Sequence, residues 1–264
     1  TGDEAVLFEK TKSSVLKIFT KNKFEFVTTP IIDSINNLTN LNGSKLRGFT
    51  SSLSHNRDLG IRADITPQIV RLDYQSYNNN KSRKYSYMGD IYRETSSSFD
   101  RNNPYQVGAE YFGSISDSVD INLIKMCYDI ISISKCKKII LDLNDSYFMN
   151  KFLNSLNISE NNKYDLLGLV SIKSKNEIQN FFKSLKLSMT KYKELTDLML
   201  IDGPIVLAKD INKFSKKYAY NHSKRLKTIL NISSKLHNLK NINICIDLCS
   251  SKSMDYESGF HYSF

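Results

Sequence analysis

Residues 59–73 read LGIRADITPQIVRLD, and this stretch narrows the fold more than any other. Its first half alternates, with Ile61, Ala63 and Ile65 apolar and Arg62, Asp64 and Thr66 polar. A period of two puts the polar trio on one face of a strand. Thr66-Pro67 then reads as a helix start, with Thr as N-cap and Pro at the first helical position. A strand that carries a base and an acid on one face, and runs into a helix N-terminus, suits a small zwitterion.

The flanking sequence supplies partners for that strand. Residues 4–21 predict an amphipathic helix, with Leu7, Phe8, Val15, Leu16, Ile18 and Phe19 as the apolar stripe. Residues 24–29 predict a strand stopped by Pro30, and 36–45 a polar loop. A strand over 46–53 and a turn over 54–58 complete a hairpin with the opening stretch. Residues 67–77 continue as a helix. Strands follow over 84–94 and 105–113, separated by a Ser/Asn/Asp-rich loop. A helix over 118–134 leads to a buried strand over 138–143, marked by Ile139, Ile140 and Leu141. Residues 146–239 are mostly helical in pattern, with a break at Asp202-Gly203-Pro204. Strand alternation returns over 243–248 and 260–264. The expected organisation is α+β: an antiparallel sheet core, 1–145 and 241–264, interrupted by a helical insertion at 146–240.

Composition removes several classes. No run of 18 apolar residues exists, so no transmembrane helix is predicted, and no signal peptide is visible. Cys127, Cys136, Cys245 and Cys249 form no CxxC pair, and the four histidines form no HExxH cluster. Reduced cysteines in a cytoplasmic protein, with no metal and no cofactor, are the expectation. The net charge of +10 sits in one place: 146–240 holds 17 Lys+Arg against 7 Asp+Glu, and the remainder is balanced. Arg225 is the only arginine in that segment and aromatic residues are not interleaved with the lysines. A solvated lysine-rich surface is therefore expected, not a nucleic-acid site.

Three predicted strands place polar residues at alternate positions. The first gives Arg62, Asp64 and Thr66, the second Arg93, the third Gln106 and Glu110 either side of Gly108. Glycine inside a strand marks a bulge or a close approach, so Gly89 and Gly108 predict floor space for a ligand. Asp64 and Thr66 suit an ammonium group, Arg93 a carboxylate and Glu110 a side-chain N–H. Each charge-assisted bond contributes roughly 1.5–3 kcal/mol. The competing reading is equally physical: Thr66 only caps a helix, and the charged residues pair on a solvated face for roughly 0–1 kcal/mol apiece.

These residues carry a resemblance. The stretches GIRADITPQIVRLD (60–73), YMGDIYR (87–93) and QVGAEYFG (106–113) resemble the regulatory-subunit family of ATP phosphoribosyltransferase, paralogues of the histidyl-tRNA synthetase catalytic core. The resemblance implies a class II aminoacyl-tRNA synthetase-like fold, an antiparallel sheet flanked by helices, and a dimer. It places Asp64, Thr66, Gln106 and Glu110 on histidine-contacting positions. Tyr92-Arg93 is similar to the arginine of motif 2, but Thr95 breaks the synthetase's Arg-x-Glu. Residues 251–259, SKSMDYESG, resemble the histidine-specific motif; Tyr256 and Asp255 match, while Lys252 replaces an arginine and Glu257 a tyrosine.

The resemblance thus implies a non-catalytic subunit that partners a short catalytic subunit in histidine biosynthesis, activates it and contributes to histidine feedback. The implied histidine-binding set is Asp64, Thr66, Arg93, Gln106, Glu110, Lys252 and Tyr256, with no catalytic residue. The rival is a histidyl-tRNA synthetase core fragment that activates histidine with ATP.

Overall fold

The computed structural model describes residues 2–39, 51–52, 59–76, 82–93, 103–114, 116–221, 223–249 and 259–264. They fall into two compact units, one built mainly from Thr1–Ser116 and the other mainly from Cys136–Ser253.

In the first unit α1 spans Gly2–Lys21, with Asp3 and Glu4 in its first turn and Lys21 in its last, each at the end its charge favours. Val15 and Phe19 bury its apolar stripe. Strand β1 (Glu25–Phe26) is shorter than the predicted 24–29, because Thr29 turns to accept two bonds from Arg62. Strand β2 (Ile32–Ser34) leads into helix α2 (Ile35–Thr39), where a loop was expected. The Asp33 carboxylate accepts from Ser34 N–H and from Asn37, which turns the chain into that helix. Strand β3 (Ser51–Ser52) pairs antiparallel with β4 (Leu59–Ile61), in line with the predicted hairpin; its turn lies outside the described residues. Helix α3 (Thr66–Gln75) follows, then strands β5 (Arg83–Asp90) and β6 (Tyr105–Phe112), which pair antiparallel over eight residues each.

The β1-β5-β6 sheet contains one parallel pair, β1 with β5. Ile65, Ile69, Tyr85, Tyr87 and Ile91 form the core here. Asp73 of α3 is tied to Arg83 of β5 through both carboxylate oxygens, so the helix is fixed to the start of the strand.

Helix α4 (Asp117–Ser132) contributes to both units. In the second unit, β7 (Ile139–Asp145) precedes helices α5 (Ser146–Asn154), α6 (Glu160–Ser171), α7 (Lys175–Ser184) and α8 (Met189–Met199). Asp145 caps α5 by accepting from Tyr147 N–H at 2.9 Å. The expected break at 202–204 is strand β8 (Asp202–Pro204), opened by Gly203 at φ +138° and paired antiparallel with β9. A 3₁₀ turn, α9 (Asp210–Tyr218), α10 (Ser223–Leu236), β9 (Ile242–Asp247) and β10 (Phe260–Ser263) complete the unit. The sheet order is β10-β7-β9-β8, with β7 and β9 parallel.

Helices 146–240 do not stand apart from the strands on either side. Leu141, Leu143 and Ile246 from β7 and β9 share one core with Phe148, Phe152, Phe182, Leu195 and Ile229 from the helices. The compact units therefore cut the chain elsewhere than 145/146 and 240/241: β7 and β9 go with the helices. Their alternate residues are apolar, and the helices supply the surface that covers them; each large side chain buried contributes about 1.5–3 kcal/mol.

Candidate functional site

The chain leaves strand geometry at Ile61, so the polar trio does not share a face. Arg62 turns inward and is 5% exposed. Its Nε donates to the Asp90 carbonyl at 2.8 Å, and its Nη1 donates to the carbonyl and hydroxyl of Thr29 at 2.9 and 2.8 Å. A Cβ on Gly89 would overlap the Arg62 guanidinium. The space that Gly89 leaves thus holds this internal arginine, not a ligand.

Asp64 is 5% exposed and sets the start of α3. Its Oδ1 accepts from Thr66 N–H at 3.1 Å and from Gln106 Nε2 at 2.7 Å. Gln106 closes the loop, because its Oε1 accepts from Ile65 N–H at 2.9 Å. Both ends of the amide are thereby fixed, and so is the Asp64 carboxylate. Gln106 thus positions Asp64.

The predicted N-cap role of Thr66 is overturned. Ile65 occupies the cap position, no side chain caps there, and Asp64 supplies the acceptor. Freed from capping, the Thr66 hydroxyl meets Glu110 Oε1 at 3.1 Å and the Tyr87 hydroxyl at 2.9 Å. The Tyr87 hydroxyl in turn donates to Glu110 Oε1 at 3.1 Å. Burial, and then the nearby Asp64 charge, push the Glu110 carboxyl up from its ordinary value, against the bonds from Thr66 and Tyr87. Burial and the charge of Glu110 likewise raise the Tyr87 phenol.

Register explains why these groups meet. Tyr87 lies opposite Gly108, Gly89 opposite Gln106, and Tyr85 opposite Glu110. A Cβ at Gly108 would overlap the ring and hydroxyl of Tyr87. Gly108 therefore admits the phenol across the face of β6, where the sequence predicts ligand floor. Tyr87 is the member of this network that the sequence analysis does not select; a tyrosine facing a glycine across two strands is its signal.

Arg93 is half-buried, and its Nε donates to the Ala63 carbonyl at 2.9 Å, next to Asp64. Five predicted residues, Asp64, Thr66, Arg93, Gln106 and Glu110, are thus brought into one region of the first unit. Lys252 and Tyr256 lie outside the described residues. A cleft of about 450 Å³ lined by Lys23, Glu25, Ser82, Arg83, Lys84 and Tyr85 includes none of the predicted residues. Among the described residues no cluster of His, Cys, Asp and Glu could hold a metal ion, and no helix is long and apolar enough to cross a membrane.

The family model described as histidyl-tRNA synthetase matches residues 2–264. The chain belongs to that family. A curated relative from Polynucleobacter necessarius subsp. necessarius (strain STIR1), named ATP phosphoribosyltransferase regulatory subunit, is 27% identical over 98% of this chain and 68% of its own length. A relative of the same name from Pseudomonas savastanoi pv. phaseolicola (strain 1448A / Race 6) is 31% identical over 53% of this chain and 36% of its own. Across several such relatives the chain spans between about half and two-thirds of their length.

Solved structures give the same fold. The ATP phosphoribosyltransferase regulatory subunit/histidyl-tRNA synthetase structure from Bacillus halodurans C superposes with a TM-score of 0.76 at 16% identity, covering 96% of this chain and 67% of that one. The ATP phosphoribosyl transferase (HisG:HisZ) complex from Thermotoga maritima gives 0.71 at 17%, covering 96% and 85%. The fold is that of the class II synthetases, as the resemblance implies.

Proposed function

We propose that this chain is a regulatory subunit of ATP phosphoribosyltransferase. It would associate with a short catalytic subunit, activate it and contribute to histidine feedback in the cytoplasm, without catalysis of its own. The observation that carries this reading is the Asp64–Gln106–Thr66–Glu110 network, on the positions that the resemblance gives to histidine contact, joined by the buried Tyr87. The names of the curated relatives support it.

In this reading Asp64 and Thr66 receive the ligand's ammonium, Arg93 its carboxylate and Glu110 its ring. Gln106 holds Asp64 in place. Lys252 and Tyr256 join the pocket on the strength of the resemblance alone. The departures at Thr95, Lys252 and Glu257 from the synthetase pattern favour binding without adenylation. Lysine keeps the charge but loses the bidentate fork of arginine. A dimer is part of the proposal. Its support is the first half of α1, where Val6 and Leu7 are 53% and 66% exposed beside Phe8.

Mixing this chain with a catalytic subunit, and measuring the rate of ATP and phosphoribosyl pyrophosphate condensation with and without histidine, tests the proposal. The expected result is a rate increase on adding the chain and inhibition by histidine. No change in either would overturn it. Coupling of this kind is reciprocal, so the catalytic subunit should alter histidine affinity by the same factor. The synthetase reading keeps one support, the description of the family that matches. Histidine-dependent ATP–pyrophosphate exchange by this chain alone would favour it.

A further inference from the structure

Three oxygens from three elements meet in the first unit: Thr66 Oγ1, Tyr87 Oη and Glu110 Oε1. Their separations are 2.9, 3.1 and 3.1 Å, each within hydrogen-bond reach. One proton lying between each of the three close pairs would make three. The two hydroxyls supply two. With Glu110 ionised, one pair of oxygens would face each other with no proton between them. A proton on Glu110 closes the ring: Glu110 donates to one hydroxyl, that hydroxyl to the other, and the second back to Glu110.

Asp64 meets a different set of partners. Its Oδ1 faces two N–H donors, Thr66 N and Gln106 Nε2, which cannot turn round and accept. N–H donors favour a carboxylate and cannot accept, whereas a hydroxyl can donate to a carboxylate or accept from a protonated acid. We propose that the site divides its two acids by role, Asp64 as the anion and Glu110 as the proton-bearing neutral member. It would then take a ligand with one ammonium group and a neutral hydrogen-bonding ring, and reject one with a second cation. The ligand half of this inference rests on the histidine reading above.

The groups that face Glu110 agree with the assignment. From the start of α3 and the residues just before it they are Thr66 and the Asp64 charge; from β5 they are Tyr87 and, opposite in register, Tyr85. Burial of Glu110 and the second carboxylate both disfavour its ionised form.

The test is a ¹³C NMR titration of the glutamate δ-carboxyl carbons in the unliganded full chain. E110Q assigns the Glu110 signal by its disappearance. T66V assigns it by a selective shift should E110Q fail to fold. The expected midpoint lies above the ordinary 4.5. A midpoint at or below that value, as a cation held against Glu110 would give, overturns the inference. A second arm compares histidine with lysine by calorimetry, with lysine expected to bind at least about tenfold more weakly. Lysine binding as tightly as histidine also overturns it. Binding of neither ligand contradicts the histidine reading instead, while the midpoint still decides where the proton sits.

Discussion

The phenol of Tyr87 occupies the space that a side chain at Gly108 would need, directly across the β5–β6 ladder. The glycine carries no functional group, yet it decides whether Tyr87 can reach Thr66 and Glu110. Packing and site chemistry are joined at this pair.

Gly108→Ala should therefore destabilise the chain by about 1–3 kcal/mol, the usual cost of forcing extra atoms into a packed site. Gly168→Ala is the control. Nothing lies within 4 Å of a Cβ there, in the middle of α6, so replacing that helical glycine should stabilise by roughly 0.5–1 kcal/mol. Urea midpoints for the two variants, at unchanged slope, check both signs.

Tyr87→Phe keeps the ring in the Gly108 space and removes only the hydroxyl. Its expected stability cost is modest, about 0.5–1.5 kcal/mol for one hydrogen bond. Near-ultraviolet circular dichroism should stay close to that of the parent, while histidine affinity falls. An affinity equal to the parent's would show that Tyr87 only fills space.

Gln106→Ala leaves the buried Ile65 N–H without its acceptor and removes one of the donors to Asp64, whose bond from Thr66 N–H stays. The expected loss is about 1–3 kcal/mol, measured by chemical denaturation. Gln106→Glu should be worse at neutral pH than in acid, because it sets a second carboxylate against Asp64.

Asp33 gives a pH-dependent prediction away from the site. Burial pushes its carboxyl up, but bonds from Asn37, Arg71, Ser34 N–H and Gln68 outweigh that and hold it at about 2, below the usual 3.8. A depressed folded-state value adds stability that is fully present above 3.8 and is lost as pH falls towards 2. Asp33→Asn should flatten the stability profile in that window and leave it sloped elsewhere. An unchanged slope between pH 4 and 2 would contradict the assignment.

Much of this was legible in the sequence, and the misses share a cause. The helices follow from 3.6-residue periodicity, as in α1 with Val15 and Phe19 inward. Asp64, Thr66, Gln106 and Glu110 were legible as polar residues at sheet positions, and they do meet. What alternation could not show is that the strand stops at Ile61, which sends Arg62 to Thr29 and Asp90, Asp64 to Gln106, and Thr66 to Glu110. Gly89 and Gly108 were legible as missing side chains. The residue that fills each gap comes from a neighbouring segment, and only register and tertiary contact identify it. The three-residue strand β8 is too short for alternation to signal it, and pairing with β9 creates it.

The most direct measurement of the central claim is a calorimetric titration of histidine into the full chain and into its Asp64→Asn variant. The account predicts saturable binding at one site per chain, weakened at least about tenfold by the substitution, as loss of a charge-assisted bond requires. Equal affinity for parent and variant, or no binding to the folded parent, would contradict it.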